Sequence, residues 1–236
     1  MIGFGEFSPK QAKATITTLT DTRLVRIDPQ EQGFFNAVRN FKSTNDAINT
    51  FIEAVDEVRA AKLAPFYKPI YDPSEDGKRV TYKKGKEPAV GHSYNWWVET
   101  ASKMPAVEGR SWKLTTEYQY YAFLVWLINQ LVKSGKSVEE AMNQVVLDSR
   151  ELGHYYDSEN STEGGAFELT GSRCICGLYD LANTIKILEC SNEEAGGFWL
   201  AGGSYDNNGN DYPLADLDHR TAVDYDGDDG VGLLVL

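Results

Sequence analysis

Residues 201–236 read AGGSYDNNGN DYPLADLDHR TAVDYDGDDG VGLLVL, a Gly-, Asn- and Asp-rich run entered from the apolar piece Phe198–Ala201 and left through the apolar piece Val231–Leu236. Two strands joined by a long polar connection is what this pattern predicts. The run holds eight Asp and a single Arg220, so −7 of the chain's net charge of −12 sits in it. A charge of that sign argues against nucleic acid as the main partner, because phosphate binding needs a basic face. It argues equally against an anionic membrane surface.

The run is also odd in what it lacks. Trp, Met, Lys, Glu and Gln number 5, 3, 14, 18 and 6 in residues 1–200 and none in 201–236. About eight are expected at the upstream rate, and independent draws give none roughly once in ten thousand tries. Acidity does not explain the gap, since Glu is as acidic as Asp. Randomising the adenines of AAC codons does, because the third base stays C and codons ending in C never encode those five residues. They do encode Asn, Asp, Tyr, His, Gly, Thr and Arg. The rival account is a Gly/Asp/Asn-rich loop region shaped by turn chemistry. Composition alone leaves both open.

Upstream the texture is helical. With 236 residues and 42% hydrophobic content, the chain can bury a core as one large domain or two small ones. Residues 43–61 read as a helix capped by Ser43 or Asn45, with Ala47, Ile48, Phe51, Ile52, Val55 and Val58 on one face. Pro65, Pro69 and Pro73 then forbid a long helix, and 74–91 is polar enough for an exposed loop or hairpin edge. Further helices are predicted over about 93–103, after Thr115 with Glu117 in the first turn, and after Ser137, where Glu140 completes a capping box. The aromatic helix after Thr115 is apolar on more than one face and should be largely buried. Beyond 152 the apolar runs shorten to strand length at Cys174–Leu178, Thr184–Leu188 and Phe198–Ala201. Residues 1–33 form a strand-like N-terminal extension. The whole predicts an α+β fold, helices packed beside a small irregular sheet.

The longest apolar run, Tyr120 to Ile128, is too short for a membrane span, and no leader pattern opens the chain. The expectation is a virion or cytoplasmic product, with surface display as a further option and no membrane insertion. Nucleotide loops and Gly-x-Ser-x-Gly elbows are missing. Cys174, Cys176 and Cys190 read as small buried thiols, and the three His match no ligand spacing. Calcium is the tempting ligand, because the segments from Asp206 and from Asp224 alternate oxygen donors. An EF-hand needs Gly at the sixth position and Glu at the twelfth. Here these are Asp211 and Asp229, then Leu217 and Val235. No metal site is assigned and no cofactor is expected; a loosely bound calcium stays open. The five Trp read as core, and Glu117 and Asp180 as structural hydrogen-bond or capping groups.

Several segments in order resemble one family. Thr44 to Phe51 is similar to its early Thr-Asn helix, and Arg110 to Ala122 resembles its Arg-Leu-Pro-Thr-Glu-Ala-Glu-Trp-Glu-Tyr-Ala segment with Thr115 in place of Pro. Gly177 to Ala182 resembles Gly-Leu-Tyr-Asp-Met-Ala, and Ile185 to Cys190 is similar to the Val-Trp-Glu-Trp that follows it. Leu200 to Tyr205 resembles the Arg-Gly-Gly-Ser-Trp strand, and Val231 to Val235 the terminal Ile-Gly-Phe-Arg-Leu-Val strand. This is the formylglycine-generating-enzyme-like branch of the C-type lectin fold, matched over roughly 34–236. The family's Trp and Arg become Tyr205 and Leu234 or its neighbour. The resemblance implies one compact α+β domain, a small twisted sheet and a ligand face built on irregular loops. The enzyme members use a cysteine pair between the last two motifs, and 206–230 contains no Cys. Without a thiolate there is neither nucleophile nor soft copper ligand, so the expectation is a non-enzyme.

The chain is more similar to a non-enzymatic subset, the variable proteins of diversity-generating retroelements, whose C-terminal variable region comes from adenine-directed mutagenesis. The resemblance implies a variable region over 205–229, with Gly202, Gly203, Val231, Gly232 and Val235 as scaffold. Its ligand-binding residues would be Tyr205, Asp206, Asn207, Asn208, Asn210, Asp211, Tyr212, Asp216, Asp218, His219, Arg220, Asp224, Tyr225, Asp226 and Asp228. Tyr offers flat amphipathic contact at low entropic cost, Asn adaptable hydrogen bonds, and the Asp cluster steering toward a basic or hydroxyl-rich ligand. His219 and Arg220 are either ligand contacts or neutralisers of neighbouring Asp. The expected partner is a protein or glycan, often on a cell surface in this family. An enzyme or calcium-dependent lectin of the same fold, or a virion structural protein, is the alternative.

Overall fold

The computed structural model describes residues 16–19, 22–76, 79–107, 109–157, 168–171, 174–191, 197–220 and 229–236. In chain order the elements are β1 (Ile16–Leu19), β2 (Thr22–Ile27), α1 (Asn36–Arg39), α2 (Asp46–Ala61), β3 (Phe66–Pro69), β4 (Ser74–Asp76), β5 (Arg79–Thr81), α3 (Tyr94–Lys103) and β6 (Trp112–Leu114). There follow α4 (Glu117–Lys133), α5 (Val138–Val146), β7 (Cys174–Ile175), β8 (Leu178–Tyr179), β9 (Ile185–Glu189), β10 (Phe198–Ala201), β11 (Leu217–Arg220), β12 (Asp229–Val231) and β13 (Leu233–Val235). The class is α+β. One sheet runs β1-β2-β3-β13-β6, a second β11-β10-β9-β12, and β4-β5 and β7-β8 pair as two-stranded ladders.

The helices start where side chains can satisfy their free N–H groups. Asn45, not Ser43, caps α2, its Oδ1 accepting from the Ile48 amide. Thr116 with Gln119, and Ser137 with Glu140, form capping boxes on α4 and α5. In α2 the buried face is Ile48, Phe51, Val55 and Val58, while Ala47 is exposed, contrary to expectation. Helix α4 is buried on most sides, from Tyr120 through Leu131, and packs with α2 and α5 against the larger sheet. A second cluster, built on Trp97, Trp112, Leu114, Ile187, Phe198 and Val235, fills the region around β6, α3 and the smaller sheet.

Two expectations change. The terminal apolar run is not one strand. Gly232 separates β12, which lies parallel to β9, from β13, which pairs with β6 and β3. A Cβ at Gly232 would stand 2.9 Å from a Leu188 methyl and 3.1 Å from Thr115 Oγ1, so the backbone crosses between sheets where no side chain fits. Cys174–Leu178 is likewise broken, because Cys176 and Gly177 take positive φ values of 51° and 84° and turn the chain. Strand β2 sits between β1 and β3, with Leu24, Val25 and Ile27 buried.

Burial also corrects residue roles. Cys174 is exposed and Cys176 and Cys190 are half-buried, and none of the three is disulfide-bonded. Trp97, Trp112 and Trp126 are core, whereas Trp96 and Trp199 are half-buried. The polar stretch 74–91 carries the β4-β5 hairpin, but Ser74, Tyr82 and Ala89 within it are buried. Among the described residues no helix is long and apolar enough to cross a membrane.

Candidate binding face

The run that leaves β10 at Ala201 is fixed by its backbone and presents its side chains outward. Gly202 adopts φ 69° and donates its amide to the Asp216 carbonyl at 2.9 Å. A Cβ at Gly203 would lie 2.7 Å from the Tyr155 ring and 2.8 Å from the Tyr212 carbonyl oxygen, so only glycine permits the turn. Further on, Gly209 donates to Asp157 Oδ1 at 3.0 Å, and its carbonyl accepts from the Ser149 amide at 2.9 Å. Leu214 is buried, its amide donating to Ser149 Oγ at 2.9 Å and its carbonyl accepting from the Tyr120 hydroxyl at 2.8 Å. The segment 149–157 after α5 thus acts as a clamp for the loop.

Between these anchors Asp206, Asn208, Asn210, Asp211 and Tyr212 are exposed. Among the described residues the side-chain amides of Asn208 and Asn210 reach Asp211, at 3.2 and 3.3 Å. Tyr205 is half-buried. Asn207 departs from its expected role. Its Oδ1 accepts from the Ser204 amide (2.9 Å) and hydroxyl (3.1 Å), and its carbonyl accepts from the Tyr156 amide at 2.9 Å. It is a turn-forming residue rather than a presented one.

Strand β11 carries the rest of the described run along the edge of the smaller sheet, pairing Trp199 with His219 and Phe198 with Arg220. The His219 ring stands edge-on to Trp199 with centroids 4.9 Å apart. Arg220 pairs with Asp218 at 2.7 Å, and both are about half exposed, so the pair adds under about 1 kcal/mol but does neutralise that carboxylate. Asp216 is half-buried, and burial, then the Asp218 charge, pushes its carboxyl above the usual range. Asp224, Tyr225, Asp226 and Asp228 lie outside the described residues. Of the scaffold, Val231 and Val235 are buried and Gly232 is half-buried. Among the described residues no group of three or more His, Cys, Asp or Glu is placed to hold a metal ion.

Spacing gave no hint of Ser149, Tyr156 or Asp157, because only the tertiary fold brings them to the loop. Tyr156 is the most exposed large apolar side chain described, at 64%. Nor did the sequence flag the charged group beneath the loop roots. Lys186 Nζ donates to Asp72 Oδ2 at 2.6 Å and to Thr184 Oγ1 at 2.5 Å, all three residues being buried. Asp180, at φ 63°, accepts from the Asp72 and Gly171 amides at 3.0 and 2.7 Å, so it ties β8 to the segment after β3. Glu117 Oε2 accepts from the Ser191 amide at 2.6 Å. Asp72, Asp180, Thr184 and Lys186 line a cavity of about 30 Å³ that also meets Lys68, Phe123, Gly202, Gly203 and Leu214. It has room for about two water molecules.

Chemically, the face offers carboxylates, amides and phenols on a fixed backbone. That suits reversible recognition by hydrogen bonds, aromatic contact and charge. No protein-family model matches the chain. No curated protein matches it either. One solved structure, titled "Crystal Structure of CarF", aligns with 96% of this chain and 78% of its own at 12% identity and a TM-score of 0.37, a likeness on which no argument rests.

Proposed function

We propose that this chain is a non-enzymatic ligand-binding protein of C-type lectin fold, in which residues 205–229 carry specificity and are diversified by a retroelement. The observation that carries the reading is the division of labour along 202–217. The backbone is tied down at Gly202, Gly203, Ser204, Gly209 and Leu214, while Asp206, Asn208, Asn210, Asp211 and Tyr212 point to solvent. Most exposed positions hold residue types that a C-ending codon encodes, and none in 201–236 holds the five types it excludes. The position of the run between β10 and β12 supports the reading, since the resemblance implies a variable region between two strands near the C-terminus. The ligand chemistry is that of a basic or hydroxyl-rich protein or glycan surface.

Deep sequencing of the gene's 3′ end and its flanking DNA, from the natural source population, tests the proposal. The expected result is variation confined to codons 205–229, at positions that are adenine in a nearby near-copy. A fixed tail with no such copy refutes it.

A further inference from the structure

The segment 149–157 grips the loop by the loop's main chain. The Ser149 amide donates to the Gly209 carbonyl and the Tyr156 amide to the Asn207 carbonyl, both at 2.9 Å. The Gly209 amide donates to Asp157 Oδ1 at 3.0 Å. Gly203 and Gly209 press on the same segment, since a Cβ there would stand 2.7 Å from the Tyr155 ring and from the Arg150 amide nitrogen respectively. None of these contacts uses a presented side chain, so substitution at 206, 208, 210 or 212 leaves the clamp in place. The chain from Gly203 to Tyr212 is therefore wound about residues 155–157 whatever side chains it displays. Within the clamp, Tyr155 is fully buried and Asp157 is tied to Gly209, but Tyr156 is 64% exposed. Among the described residues no hydrogen bond or ring contact holds the Tyr156 side chain, while its backbone is fixed by residue 207. A large flat ring with two rotatable angles on a fixed backbone meets a partner at low entropic cost.

We propose that Tyr156 is a constant anchor of the binding face, outside the variable run yet in contact with the partner, and that the partner of this loop sequence is a polypeptide surface bearing Lys or Arg. The inference rests on reading 205–229 as a display loop. The exposed Asp206 and Asp211 belong to the chain wound about Tyr156. Of the basic groups in the clamp and the run, Arg150 is engaged by Asp148 and Asp157, and Arg220 by Asp218. Among the described residues Asp206 and Asp211 are left without a cation. A Lys or Arg side chain laid on the phenol face gains from the ring and meets these carboxylates with its charge. A neutral glycan could stack on the ring but offers nothing to a run that holds −7 of the net charge. Binding then divides between a shared aromatic contact and presented residues that choose the partner.

The test displays the full chain on phage with positions 205, 208, 210 and 212 randomised and Asp206 and Asp211 kept. Selection runs in parallel on lysozyme, a basic protein, on α-lactalbumin, an acidic one, and on mannan, a neutral glycan. Binders are expected on lysozyme. In several independent binders Tyr156→Ala should raise Kd at least about tenfold with Tm unchanged, and Tyr156→Phe should keep most of the affinity. Hydroxyl-radical footprinting of the unsubstituted binders should show the Tyr156 ring protected in the complex, which a role in holding the loop alone would not produce. If Tyr156→Ala leaves Kd within about twofold, or the ring stays unprotected, the anchor is overturned while the display reading stands. Binders on α-lactalbumin or mannan alone overturn the assignment of a basic polypeptide partner. If no target yields a binder, the display reading fails and this inference fails with it.

Discussion

Substitution of the presented side chains should leave the fold nearly unmoved, and the anchors beside them set the contrast. Consider a variant in which Asp206, Asn208, Asn210, Asp211 and Tyr212 all become Ser. The interactions lost among them are two long amide contacts to Asp211, both at the exposed surface. Exposed substitutions of this kind each fall within about 0.5 kcal/mol, and removing two carboxylates from a chain of net charge −12 relieves some repulsion. The sum stays under about 2 kcal/mol. For a chain of this size 1 kcal/mol moves Tm by about 2–4 °C, so the shift should stay under about 8 °C. Leu214→Ala sits two residues beyond Tyr212 yet removes a side chain that is 3% exposed, at a cost of about 2–5 kcal/mol. Its Tm should fall by roughly 4–20 °C. Thermal unfolding followed by circular dichroism on the two variants and the parent decides the matter. A five-residue variant that loses as much as Leu214→Ala would show that these side chains hold the fold, and the presentation argument would fail.

Four further outcomes follow from the geometry. Tyr120→Phe leaves the buried Leu214 carbonyl without its 2.8 Å donor and should cost about 1–3 kcal/mol in urea titration. Ser137→Ala removes the hydroxyl half of the α5 capping box, leaving the backbone N–H of residue 137 on Glu140 Oε2, and should cost about 1 kcal/mol by the same measurement, with an unchanged m-value. Lys186→Met strands the Asp72 carboxylate in the interior and should cost about 3–5 kcal/mol, partly recovered by adding Asp72→Asn. Lys68 gives a pH signature. Its folded-state value of about 8 lies below the ordinary 10.5, so between these the unfolded chain binds more protons, and stability should rise with pH. Unfolding free energies measured at pH 8 and pH 10 for wild type and Lys68→Met check this: the variant should lack that part of the rise.

The helices were legible because their signals are local. Ser137 with Glu140 and the apolar spacing of Ile48, Phe51, Val55 and Val58 sit within single turns, and the structure keeps both. The strands were legible in place but not in partnership. Val231–Leu236 looks continuous, and only the packing of Leu188 and Thr115 against Gly232 shows why it must divide. In the binding face, residue identity suggested presentation, yet Asn207 has the same codon-compatible identity as Asn208 and serves the turn at Ser204 instead. The cavity group was illegible altogether. Asp72 meets Thr184 and Lys186 across 112 and 114 residues of sequence, a separation at which no spacing rule operates.

The position of β9 has a consequence for length. Strands β10 and β12 flank it on either side, so the whole connection from Gly202 to Asp229 starts and finishes about 10 Å apart, two strand spacings. Its end points belong to the sheet and do not shift when residues are added between them. Closing a longer loop on fixed ends costs only about 0.6 kcal/mol per doubling. Insertions between the anchors Gly209 and Leu214 should therefore be accommodated about as readily as substitutions there.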